Sequence, residues 1–241
     1  GFDHYEVDGV DVGNVLSLSQ SYPDGSNDIE VLAVDFAGNA SSPIVLADIR
    51  IDTAPPSDVT GFDSTSHTSG SWSSDPDVIL IWDSSSDLNS GVDHYEVDGL
   101  DVGNVTTSTV SPGDGIHNFS IVAVDAVGNS TAVTSLSNIQ IDTTAPDIVA
   151  NFSSTTHVSG VWSNTNDIGL TWNASDDNGG SGLDHYEINS FDIGNGLSIS
   201  TGPLDDGVYT FSIVAVDALG QASDPVSLTD IMIDTTSPTA T

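Results

Sequence analysis

The chain has no cysteine, one methionine and one basic side chain, Arg50, in 241 residues. Without cysteine there is no disulfide framework from which oxidising surroundings could be read, so the domains must hold together by packing or by metal. Without lysine or cysteine, two common nucleophiles are missing. One base against 36 acids leaves a formal net charge of −35. That excludes nucleic acid as a direct electrostatic partner and disfavours anionic membrane surfaces. No run approaches the roughly 20 apolar residues that cross a bilayer, so no direct membrane insertion is expected from this stretch. No signal-peptide pattern precedes the first repeat, and any export signal or anchor is expected outside it.

The acids themselves are unevenly chosen. Only Glu6, Glu30, Glu96 and Glu187 are glutamate; the other 32 are aspartate, the shorter side chain suited to turns and to hard-cation loops. Cations are the natural counterpart of such a surface. A charge this large often accompanies disorder, but 37% of the residues are hydrophobic. Their strand-like arrangement argues for packed cores once the charge is neutralised.

The sequence repeats itself. Gly1-Phe-Asp-His-Tyr-Glu-Val-Asp-Gly returns from Gly91 and, as Gly-Leu-Asp-His-Tyr-Glu-Ile-Asn-Ser, from Gly182, a period of 90 to 91 residues. Ile51-Asp52-Thr53 recurs as Ile141-Asp142-Thr143 and Ile233-Asp234-Thr235, each followed closely by proline. The period predicts a partial repeat over 1–53 (strands C to G), full repeats over 54–143 and 144–235, and the start of another over 236–241. On this reading the stretch is a window on a longer chain, with completion of the first repeat by a neighbouring subunit as the alternative.

Within 54–143 the apolar run Val78–Trp82, the alternating Asp93–Val97, the long Phe119–Asp125 and the strand ending at Ile139-Gln-Ile141 predict strands B, C, F and G. Strand A is expected near Val59 to Phe62, with C′ and E between Val105 and Val110. The fold class is all-β: tandem seven-stranded sandwiches in a linear array. Trp82, Asp87 with Ser90-Gly91, His94-Tyr-Glu-Val97, Ala123-Val-Asp-Ala-Val-Gly-Asn129 and Ile141-Asp-Thr-Thr-Ala-Pro146 together resemble the bacterial and archaeal immunoglobulin-like (fibronectin type III-like) repeats of surface-layer proteins, adhesins and cell-surface stalks. That resemblance covers nearly the whole chain and implies an extracellular, cell-surface location. The third copy departs from it, with Gly220-Gln221 in place of Gly-Asn and one extra residue between Asn173 and Gly182.

In such a sandwich the loops at one pole of a repeat meet the end of the preceding one. Asp52 is therefore expected to face Asp87, Asp125 and Asn129, and Asp142 to face Asp176, Asp177 and Asp217, with Asp98, Asp101 and Asp114 contributed from the same pole as Asp142. Short carboxylates, an amide oxygen and glycine-rich backbone suit an oxygen-ligated Ca²⁺ site. The competing reading is that Asp, Asn and Gly simply build turns.

His4, His94 and His185 sit two residues from Glu6, Glu96 and Glu187, on one strand face that is expected to be solvated, with Tyr5, Tyr95 and Tyr186 on the core face. Trp82 and Trp172 are expected in the core, and Trp72 and Trp162 at a strand edge. Six sequons, at Asn39, Asn104, Asn118, Asn129, Asn151 and Asn173, would suit a glycosylated surface protein. No nucleophile–base–acid constellation is discernible, so no enzyme is expected. The leading expectation is a structural segment of a surface layer, fibre or stalk, rigidified by calcium and partnered by copies of itself or other surface proteins. An adhesin module binding a glycan or protein, or a spacer in a large secreted hydrolase, is the alternative.

Overall fold

Apolar side chains at every second position bury one face of an extended backbone and leave the other wet. The computed structural model, described over residues 1–239, is accordingly built of strands and loops, with no helix among those residues. β1 (Phe2–Val7), β2 (Val10–Gly13), β3 (Gly25–Asp35) and β4 (Ile44–Ile51) form an antiparallel sheet of order β2-β1-β3-β4. The next repeat supplies β5 (Asp63–Ser64), β6 (Trp72–Ser73), β7 (Val78–Ile81), β8 (Val92–Val97), β9 (Leu100–Gly103), β10 (Thr107–Val110), β11 (Gly115–Asp125) and β12 (Thr134–Ile141). They assemble as β10-β7-β5 and β6-β12-β11-β8-β9. The last repeat reproduces this with β13 (Ser153–Ser154), β14 (Trp162–Ser163), β15 (Asp167–Thr171), β16 (Leu183–Ile188), β17 (Phe191–Asp192), β18 (Ser198–Pro203), β19 (Gly207–Asp217) and β20 (Val226–Ile233). Its sheets run β13-β15-β18 and β14-β20-β19-β16-β17. A small sheet and a large sheet in this order define tandem immunoglobulin-like sandwiches.

The second and third repeats differ from a plain seven-strand count in one place. The first strand, expected near Val59 to Phe62, lies slightly later and is split in two. Asp63–Ser64 joins the small sheet, while Trp72–Ser73 runs parallel to Gln140-Ile141 in the large one. Gly61, at φ 64°, interrupts the extended backbone where the carboxylate of Asp83 packs so closely that a Cβ would meet it at 2.6 Å. The C′ strand also comes earlier than expected. Asp98 and Gly99, at φ 50° and 75°, form a tight hairpin straight after β8, so β9 begins at Leu100.

The contacts define two compact units, Gly1–Asp63 with Ile81–Ser108 and Phe119–Ser135, and Ser64–Leu80 with Thr109–Asn118 and Leu136–Thr241. The core of the last sandwich, inside the second unit, joins Ile168, Leu170 and Trp172 to Tyr186, Ile188, Ile213, Ala215, Ile231 and Ile233. Trp172 packs edge-on against Tyr186, with ring centroids 5.5 Å apart, and against Phe152 at 6.3 Å. In the first unit Trp82 repeats the arrangement with Tyr95 and Phe62. Each tyrosine hydroxyl accepts a loop N–H, from Ser85 at 2.6 Å and Ser175 at 2.8 Å, so the core tyrosines also pin the loops that carry the candidate ligands. Of the stretch 236–241, residues 240 and 241 lie outside the described residues.

Candidate functional site

Alternation along the longest strand places an acid on the core face. In β19 Phe211, Ile213 and Ala215 point inward, and the same parity puts Asp217 inward at the strand end, 2% exposed. There its Oδ1 accepts the N–H groups of Leu219 and Gln221, both at 2.8 Å, and closes the turn. Asp125 ends β11 identically, with Val127 at 2.9 Å and Asn129 at 2.8 Å. Asp35 does the same at the end of β3. A carboxylate that caps two backbone donors keeps its second oxygen available.

Two trios of acids gather around these strand ends. Within the first unit, Asp52 after β4, Asp87 in the β7–β8 loop and Asp125 offer oxygens within 4.8 Å of one another. Asp142 after β12, Asp177 in the β15–β16 loop and Asp217 do the same within the second unit. The second trio is buried throughout, whereas in the first only Asp125 is buried. Asp142 is drawn in by the N–H of Ser181, which donates to its Oδ2 at 2.7 Å, as Ser90 N–H does to Asp52 at 2.9 Å. Gly180 permits the approach, since a Cβ there would meet the Asp142 carboxylate at 2.7 Å.

The trios differ in how far they are satisfied. Asn129 Nδ2 donates to Asp125 Oδ2 at 2.8 Å and also reaches the carbonyls of Asp52 and Ala54. Asp87 Oδ1 accepts N–H groups from Asn89, Ser90 and Gly91. Gln221 stands where Asn129 would be, and its longer side chain donates to the Asp142 carbonyl at 3.0 Å instead of to the acid. Asp217 Oδ2 is consequently buried without a partner. The extra loop residue divides the work of Asp87: Asp176 accepts from Asn178 N–H, and Asp177 Oδ2 accepts from Gly182 N–H at 2.6 Å. Asp177 Oδ1 is the second buried carboxylate oxygen without a partner.

Electrostatics follow the same division. Backbone donation, foremost from Gly91, holds the pKa of Asp87 below the usual carboxylate range. Burial pushes Asp125 upward, but the side-chain and backbone donors of Asn129 outweigh it and leave its pKa lowered. Asp177 goes the other way: burial raises its pKa, Gly182 opposes, and the charges of Asp142 and Asp217 raise it further. Two carboxylates 4.8 Å apart repel by about 3.5 kcal/mol at an effective dielectric constant of about 20. The second unit contains no lysine or arginine to offset this; Arg50, in the first, pairs with Asp48 at 3.2 Å.

The other expected ligands belong to neither trio. Asp98 occupies the hairpin and accepts the Ser120 N–H at 2.7 Å; Asp101 accepts that of Gly103; Asp114 accepts from both the N–H and the hydroxyl of Thr143. Asn129 joins its trio as a donor through Nδ2 to Asp125. Of the six sequon asparagines, Asn39, Asn104, Asn118, Asn151 and Asn173 are exposed and Asn129 is half-buried.

The histidines are less solvated than expected. Side chains of His94 and His185 are 19% exposed and clasped between Asp93 and Glu96, and between Asp184 and Glu187. Trp82 and Trp172 are core residues, 4% exposed, whereas Trp162 is 58% exposed. Buried His67 and His157, not singled out by the sequence, each bond a neighbouring hydroxyl and a carbonyl eight residues on, bracing the loop between the split strands.

By fold the chain is thus a tandem of immunoglobulin-like, fibronectin type III-like β-sandwiches. No family model matches it. It is 31% identical over 233 residues to Exoglucanase B of Cellulomonas fimi and 33% identical over 195 residues to Chitinase A1 of Niallia circulans. The alignments cover 89% and 72% of this chain but only 20% and 25% of those relatives. Among solved structures, the fibronectin(III)-like modules of Clostridium thermocellum CbhA align over 72% of this chain and 95% of theirs, at 16% identity and a TM-score of 0.38.

Proposed function

We propose that this chain is a non-catalytic spacer of tandem sandwiches within a larger secreted, carbohydrate-active protein. The observation that carries this reading is that most of the chain aligns with a minor part of both an exoglucanase and a chitinase. A segment common to enzymes named for different polysaccharides supplies a property both need, and spacing between functional parts is such a property. A surface layer, fibre or stalk would ask the same of these modules, but the curated relatives are enzymes and favour the hydrolase setting. Near-equivalent repeats with short proline-containing connections suit a spacer, because length is what repetition adds.

The test uses residues 1–241 alone. Release of reducing sugar from soluble glucan and from chitin, and co-sedimentation with insoluble cellulose and chitin, are expected to equal those of an unrelated acidic protein. Hydrolysis, or saturable retention on one polysaccharide, overturns the spacer reading; retention without hydrolysis supports a glycan-binding module instead.

A further inference from the structure

We infer that the chain carries one preferred Ca²⁺ site, formed by Asp142, Asp177 and Asp217, and that the equivalent trio Asp52, Asp87 and Asp125 binds the ion much more weakly because Asn129 already engages its free carboxylate oxygen. This inference is independent of the spacer reading and can fail without it.

Three observations converge on the second trio. Its donors are all carboxylate oxygens, the ligand type of hard divalent cations. Asp177 Oδ1 and Asp217 Oδ2 have no hydrogen-bond partner, although Asp177 is 6% and Asp217 2% exposed. A buried polar atom with no partner is costly to leave so, and two such oxygens on acids within 4.8 Å of each other call for a shared positive ligand. No lysine or arginine lies in this unit to supply one.

The first trio shows what fills the place when a cation is not needed. Asn129 Nδ2 donates to Asp125 Oδ2, the oxygen equivalent to the unpartnered Asp217 Oδ2. Gln221 carries the same amide one methylene further out, where it meets the Asp142 carbonyl. The exchange of Asn for Gln therefore frees one ligand, and the lengthened loop, in which Asp176 and Asp177 share the contacts that Asp87 makes alone, frees another. Ser90 Oγ and Ser181 Oγ are both buried without partners and do not distinguish the trios.

Calcium binding to the chelator-treated 241-residue chain in 0.15 M NaCl, measured by titration calorimetry, tests the assignment. One Ca²⁺ per chain is expected, with a dissociation constant on the order of 10⁻⁴ M, as in extracellular modules. Asp217→Asn is expected to weaken it at least about tenfold and Asp125→Asn to leave it unchanged. Gln221→Asn, which restores the short amide, should weaken binding as well, and Asn129→Gln should add a second site. No binding at about 10 mM Ca²⁺, well above that range, overturns the inference; so does equal loss in Asp125→Asn and Asp217→Asn. If Asp217→Asn does not fold, as judged by near-UV circular dichroism, Gln221→Asn decides alone: unchanged affinity in that variant refutes the role given to the amide and with it the assignment.

Discussion

Replacing Asp217 by Asn in the chain stripped of divalent cations should stabilise the last sandwich. Ionised Asp217 takes part in two of the three repulsive pairs of its trio, with oxygens no more than 4.8 Å apart. Each pair costs about 3.5 kcal/mol at an effective dielectric constant of about 20. Asn keeps an oxygen for the Leu219 and Gln221 N–H groups, at a loss of about 1 kcal/mol for each bond no longer charge-assisted. It also places an amide donor where Asp217 Oδ2 now lacks a partner. With relaxation and screening, a net gain of about 2 kcal/mol remains, equivalent to roughly thirtyfold slower exchange of core amides. Hydrogen exchange read by mass spectrometry on peptides from β15 and β19 in chelator measures it locally, without assuming that the whole chain unfolds as one unit. In saturating Ca²⁺ that advantage should shrink by about 1.4 kcal/mol or more, because the wild-type chain binds the ion at least about tenfold more tightly than the variant. Unchanged or faster exchange of Asp217→Asn in chelator refutes the reasoning, since the three acids would then not be in repulsive contact.

Trp172→Ala should cost about 3 to 5 kcal/mol, because the ring is buried between Phe152 and Tyr186; a urea midpoint close to that of the wild type would contradict the packing. Tyr186→Phe should cost about 1 to 3 kcal/mol by depriving the Ser175 N–H of its acceptor, with the largest rise in hydrogen exchange in the β15–β16 loop, and protection there equal to the wild type would sink that account. The pKa values of His94 and His185 are raised above 6.5, first by the bond to Asp93 or Asp184, with burial opposing and Glu96 or Glu187 adding to it. Their contribution to stability is complete below the unfolded value of about 6.5 and is lost as pH rises through the higher folded value; NMR titration midpoints at or below 6.5 would refute this.

Much of the architecture was legible because it rests on local periodicity. Alternation identified β8 and placed Tyr95 and Tyr186 in the core, where they are 1% and 0% exposed, while strand-forming runs bounded by turn residues located β11 and the end of β12. The repeat period and the topology of a sandwich are enough to expect Asp142 beside Asp177 and Asp217, and Asp52 beside Asp87 and Asp125. Less legible was the split first strand, since two-residue pieces carry too little pattern to show which sheet each joins. The spacing of acids also could not separate those that converge from those that only form turns: Asp98, Asp101 and Asp114 are as acidic as the trios, but each gives its Oδ1 to nearby N–H or hydroxyl groups and stands outside them. The sequence by itself determined a repeated β-sandwich, an anionic surface and the strand ends at which the acids stand, because these depend on residue type and period. Only the tertiary structure decided that Gln221 reaches a carbonyl alone where Asn129 reaches a carboxylate as well, because one methylene of side-chain length has meaning only once both groups are held in place by the surrounding loops.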